Sequence, residues 1–161
     1  MVDIVLSVEV DAPAEAVWAG AVDWEHQGEW MLGTRVWPVV QDGAGVGGRT
    51  AAFTGVGPLG FLDTMQITGW EPPHRIGVLH DGWLVRGPAA MEVEPLGDGR
   101  SRFTLREHLE LPLGRLGELG FRVVGPVFVA GLRLSLRRFA RWVERRHRTG
   151  VTGPARASRA A

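Results

Sequence analysis

The sequence predicts an α+β domain in which a seven-stranded antiparallel sheet packs against one long C-terminal helix. Three observations predict it. Between Pro126 and His147, Val129, Leu132, Leu136, Phe139 and Val143 recur at steps of three and four, while Arg133, Arg137, Arg141 and Arg145 take the other side. That is the periodicity of a helix with one dry face. Upstream, short runs alternate apolar and polar residues with the period of two that marks half-buried strands. Between these runs stand Asp42-Gly43-Ala44-Gly45, Gly57-Pro58-Leu59-Gly60, Pro72-Pro73, Asp81-Gly82 and Gly97-Asp98-Gly99, connections short enough to require antiparallel neighbours.

In chain order, Val2 to Val10 sets Ile4, Leu6, Val8 and Val10 against Asp3, Ser7 and Glu9, a first strand with one buried face. Asp11-Ala12-Pro13-Ala14-Glu15 starts a short helix continued by Val17, Trp18, Ala21 and Val22, and a second runs from Asp23 to Met31 until Gly33 stops it. Six strands follow, over residues 34–41, 49–55, 61–71, 74–81, 83–96 and 100–111. Residues 113–124 read as a weak, glycine-interrupted helix, and Pro126, with φ fixed at a helical value, suits the first turn of the main one. Residues 1–148 form one domain in this reading, and 149–161 a disordered tail.

Composition excludes much chemistry. The 161 residues contain no Cys, Lys or Tyr, which removes disulfides, thiolate nucleophiles, Schiff-base amines and phenolic acids. The histidines show no pair at metal-binding helical spacing, so neither metal nor cofactor is expected. Gly43 to Gly48 is glycine-rich, but no helix or Lys follows it, and a hairpin is expected rather than a nucleotide loop. No uninterrupted apolar run approaches a membrane span and no basic leader opens the chain, so a cytoplasmic protein without stable membrane insertion is expected. The zero net charge conceals an asymmetry: residues 1–112 hold 7 Arg against 16 Asp and Glu, and residues 113–161 hold 11 against 2. No aromatic residues interleave with the arginines, so this is read as a solvated face and not a nucleic-acid site.

Ala12-Pro13-Ala14-Glu15-Ala16-Val17-Trp18, Asp23, Trp30-Met31, Gly69-Trp70-Glu71-Pro72-Pro73, the strand Phe103 to Leu109 with Glu107, and Leu111 to Gly114 before an arginine-rich helix together resemble the START-like (SRPBCC) superfamily. That group includes polyketide cyclase and dehydratase-like proteins and lipid-transfer domains. The resemblance covers about residues 2 to 147. It implies the helix-grip fold, a curved sheet wrapped around the terminal helix with an apolar cavity between them, and leaves the reaction open.

Alternation then assigns a wall. Phe61, Met65, Val78, Trp83, Val85, Met91, Phe103 and Leu105 face inward, with Gly87 leaving space beside them. Phe53 is a further candidate, as are Trp30 at the entrance and Phe128, Leu132 and Leu136 on the helix. Three ionisable residues interrupt this face: Asp63, His80 and Glu107. A Pro72-Pro73 turn sets Met65 opposite His80 and brings Asp63 within diagonal reach of it. A two-residue Asp81-Gly82 turn pairs His80 with Trp83, and Gly97-Asp98-Gly99 pairs Ala89 with Glu107. On that register Glu107 lies about 20 Å from the His80 end at ~3.3 Å per residue, so the three do not form one site. Glu107 and His80 are separate candidates for acid–base work, and Glu107 has Arg86 or Arg106 as alternative structural partners.

Three functions remain open: binding or carriage of a hydrophobic small molecule such as a lipid or polyketide, cyclase or dehydratase chemistry with Glu107 as acid or base, and a protein-interaction module using the arginine face. The expected partner is a hydrophobic small molecule. The oligomeric state is left open.

Overall fold

A computed structural model describes residues 1–110, 112 and 114–150. Residues 151–161 of the expected 149–161 tail, with Leu111 and Leu113, lie outside the described residues. Strand β1 (Val2–Val10) leads into helix α1 (Ala14–Ala21) and a 3₁₀ turn over Trp24–Glu29. Six strands follow: β2 (Thr34–Val40), β3 (Arg49–Val56), β4 (Leu59–Glu71), β5 (Arg75–Asp81), β6 (Arg86–Gly97) and β7 (Arg100–Leu109). Helix α2 (Arg115–Arg148) closes the chain. The seven strands form one antiparallel sheet in the order β1-β7-β6-β5-β4-β3-β2. This is the helix-grip fold.

Five of the six antiparallel pairs join strands that are neighbours in sequence, and the sixth brings β1 back beside β7. Register shifts at Pro38/Val40, Ile67/Gly69 and Pro95/Gly97 are bulges, the places where a strand bends and twists. The Gly43–Gly48 segment is a connection between strands. Gly43 sits at a positive φ of 66° against the Trp24 indole, where a Cβ would collide with the ring; Trp24 Nε1 donates to its carbonyl.

Two expectations change. The weak helix and the main helix are one element of 34 residues, about 51 Å at 1.5 Å per residue, and Pro126 lies inside it rather than at its start. The second strand of the β5–β6 hairpin begins at Arg86 and not at Trp83, so residues 82–85 form a four-residue loop.

The two halves of α2 meet the sheet differently. From Ser135 to Val143 the inward residues are buried: Leu136, Phe139, Ala140, Trp142 and Val143 are each 5% exposed or less. Phe139 is the centre of this end, with ring centroids 4.4 Å from Phe103 and 4.8 Å from Trp30. The N-terminal half leaves Leu119, Val123, Val124 and Val127 exposed. The stretch Leu119–Arg148 is long and apolar enough, by length and composition alone, to cross a membrane. Sheet and helix are thus packed solid at one end and stand apart at the other.

Candidate functional site

Where they stand apart there is a cavity of about 270 Å³. Its wall is apolar over most of its area, with Phe61, Met65, Val78, Met91 and Leu105 from the sheet, Val85 from the β5–β6 loop, and Phe128 and Leu132 from α2. Each sheet residue is on the face that strand alternation assigns to the inside. Met31, Leu32, Thr34 and Thr54 add a side wall from the turn after the 3₁₀ segment, β2 and β3, and Gly131 and Ser135 complete the helix side. Sequence reasoning passed over this second group. For its helix members the signal was spacing: Gly131 stands three residues after Phe128 and Ser135 three after Leu132, on a face already assigned to the sheet.

Six candidates lie elsewhere. Trp30 is 1% exposed and packs edge-on against Phe139 in the solid end, not at an entrance. Phe103 and Leu136 belong to the same packed end. Phe53 points away from the cavity, because its neighbours Ala52 and Thr54 face into it and successive strand residues alternate; its ring lies over Gly60. Trp83 is 80% exposed on the β5–β6 loop. Gly87 has φ 119°, and its missing side chain makes room for the His108 carbonyl rather than for a ligand.

At the floor of the cavity the three ionisable residues come together, contrary to the sequence estimate that separated Glu107 from His80. His80 pairs with Gly87 across β5–β6, Val78 with Ala89, and Ala89 with Glu107. The side chains of His80 and Glu107 therefore meet over two of the smallest residues in the sheet. His80 Nδ1 is 2.5 Å from Asp63 Oδ2, and His80 Nε2 is 3.3 Å from Glu107 Oε2 without an aligned hydrogen bond. The Arg86 and Arg106 alternatives are otherwise engaged: Arg86 Nε donates to the Gly82 carbonyl and Arg106 Nε to Glu92.

All three side chains are largely out of water, with 8% of Asp63, 10% of His80 and 15% of Glu107 exposed. Burial pulls the His80 pKa down, but the hydrogen bond to Asp63 and the charges of Asp63 and Glu107 outweigh it and raise it from 6.5 to about 10. At neutral pH the imidazole is a cation between two carboxylates. Next along β5, Asp81 turns the other way: burial pushes its pKa up, while the Thr64 hydroxyl and Arg49 guanidinium hold it below the ordinary carboxylate value. Because Asp63 and Glu107 occupy opposite ring nitrogens, they do not converge on one point. Among the described residues no group of three His, Asp or Glu is placed to hold a metal ion.

Residues 1–144 match the family described as polyketide cyclase / dehydrase and lipid transport. The chain belongs to that family. Among solved structures, the chain is similar to the Zhui aromatase/cyclase from Streptomyces sp. R1128, at 17% identity, with 95% of this chain and 99% of that one aligned and a TM-score of 0.72. A conserved protein from Geobacillus kaustophilus aligns over 90% of this chain and 97% of its own at 16% identity and TM-score 0.71. The di-domain ARO/CYC BexL of the BE-7585A biosynthetic pathway aligns over 91% of this chain and 48% of its own, at 18% identity and TM-score 0.69. At such identities these likenesses establish the fold. No curated protein sequence matches the chain at a significant level.

Proposed function

We propose that the protein binds a small hydrophobic molecule in the cavity under the N-terminal half of α2. The observation that carries this reading is an apolar space of about 270 Å³ with a polar cluster on its floor: the walls supply affinity by burial and the cluster orients a polar group. The volume suits one ring system or one alkyl chain and is too small to enclose a two-chain lipid. The test is uptake of N-phenyl-1-naphthylamine, whose fluorescence rises on leaving water. The wild-type protein is expected to take it up, and Ala89→Phe, which fills the floor above the Val78–Ala89–Glu107 row, is expected to weaken uptake at least tenfold with an unchanged circular dichroism spectrum. Unchanged uptake in that variant would place the probe elsewhere and overturn the reading.

A second reading rests on the 3.3 Å approach of Glu107 to His80: dehydration of a β-hydroxy carbonyl compound. The Glu107 carboxylate takes the proton from the carbon between carbonyl and carbinol. As the C=C bond forms, the C–O bond breaks and the hydroxyl leaves as water with a proton from the His80 imidazolium. The proton on Glu107 then returns to His80 Nε2, closing the cycle. Glu107→Gln is expected to lower turnover of such a substrate by about 10²-fold or more while leaving probe uptake in place; an unchanged rate would remove Glu107 from the reaction.

A further inference from the structure

We propose that the molecule this cavity selects carries a protonated amine, which seats against Glu107 while its apolar body fills the space beneath α2. The inference rests on the cavity-binding reading and adds the chemistry of the ligand's polar end.

It follows from a charge count at the cavity floor. Asp63 and His80 are in contact at 2.5 Å and together amount to one neutral ion pair. Glu107 is the carboxylate left over. Among the described residues none donates a hydrogen bond to its Oε2, and His80 Nε2, 3.3 Å away, finds no aligned acceptor. Elsewhere in the chain a buried carboxylate has a cation to itself: Asp23 is 3% exposed and held by Arg146 and His26. Among the described residues no arginine lines the cavity, and the chain has no lysine. Even with the imidazole protonated, the floor carries one negative charge in excess, within apolar walls that screen it poorly.

A buried carboxylate that must share its only cation with a second carboxylate is costly, and a molecule that brings another cation recovers part of that cost on binding. An ammonium suits this carboxylate chemically, having three donors and no acceptor, while an ionised Glu107 is all acceptor. Phe61 and Phe128 line the same space, and an aromatic ring's face attracts a cation and repels an anion. A carboxylate or phosphate head could reach only the Nε2 side of the imidazole, where it would compete with Glu107 and add a further negative charge beside it. An alcohol would satisfy the lone acceptor and leave the charge.

The test uses a matched series, decylamine, decan-1-ol and decanoate, each displacing N-phenyl-1-naphthylamine at pH 7.4 and physiological salt. Decylamine is expected to bind at least tenfold tighter than decanoate, with decanol between them. Glu107→Gln should shrink that ratio to threefold or less while still taking up the neutral probe, which shows that the variant has kept its cavity. Equal displacement by amine and acid, tighter binding of the acid, or an amine preference that survives in Glu107→Gln would each overturn the proposal and leave the cavity reading standing. Failure of the wild-type protein to take up the neutral probe would instead overturn the cavity reading, and this proposal with it.

Discussion

Replacing Phe139 with alanine is expected to remove about 3–5 kcal/mol of folding stability, the range for deleting a fully buried aromatic ring. Phe139 has no exposed surface and touches the rings of Phe103, Trp30 and Trp142, so its loss opens a hole that none of these rigid neighbours can close. Phe128, three turns earlier on the same helix, is 39% exposed and lines empty space. Phe128→Ala creates no new void in a packed region and is expected to cost less than about 1.5 kcal/mol. Urea unfolding of the two variants measures the difference. Equal losses would mean that the two ends of the sheet-helix interface are packed alike.

The second large effect is a fall in stability with rising pH. The folded pKa of His80, about 10, lies above the unfolded value of 6.5, so the native state holds a proton that the unfolded chain releases. The stabilisation is fully present below pH 6.5 and is lost as pH rises through 10, at most about 5 kcal/mol at 1.36 kcal/mol per pH unit. The facing groups are Asp63 from β4 and Glu107 from β7; Asp81 on β5 is committed to Arg49 and Thr64. Composition makes this measurement clean. With no Lys, Tyr or Cys in the chain, no other side-chain type has its ordinary pKa between 8 and 12. In the double variant Asp63→Asn, Glu107→Gln only burial acts on the imidazole, its folded pKa falls below 6.5, and the slope changes sign: stability should rise with pH toward 6.5 and then level off. A wild-type stability flat from pH 7 to 10 would show that the imidazole is not held as a cation.

The sheet and its order were legible because alternation and turn residues agree along most of the chain. The Pro72-Pro73 and Gly97-Asp98-Gly99 turns set Met65 against His80 and Ala89 against Glu107, as read from sequence. The assembly of the floor was not legible, and the cause is one hairpin. Pairing His80 with Trp83 and pairing it with Gly87 differ by four residues along β6, and a shift by an even number keeps every side chain on the same face. Hydrophobic pattern therefore cannot tell the two apart. Opposite charges on the outer face could have: the observed register sets Arg75 against Glu92 and Asp81 against Arg86, whereas the two-residue turn sets Arg75 against Pro88. That four-residue difference puts Trp83 in solvent and brings Glu107 to His80. Packing explains the other misplacements. The periodicity of α2 names the residues that face the sheet but does not say where sheet and helix diverge, so Leu136 and Phe128 look equivalent in sequence and are core and cavity wall in space.

The central claim is a hollow that admits an apolar guest, and the methionines report on it directly. Met31, Met65 and Met91 line the cavity, while Met1 is 73% exposed outside it. With ¹³C-methyl methionine labelling, titration of N-phenyl-1-naphthylamine is expected to shift the Met31, Met65 and Met91 methyl signals together, with intermolecular nuclear Overhauser contacts to the probe, and to leave Met1 unmoved. Bound probe with those three methyls unchanged would contradict the account.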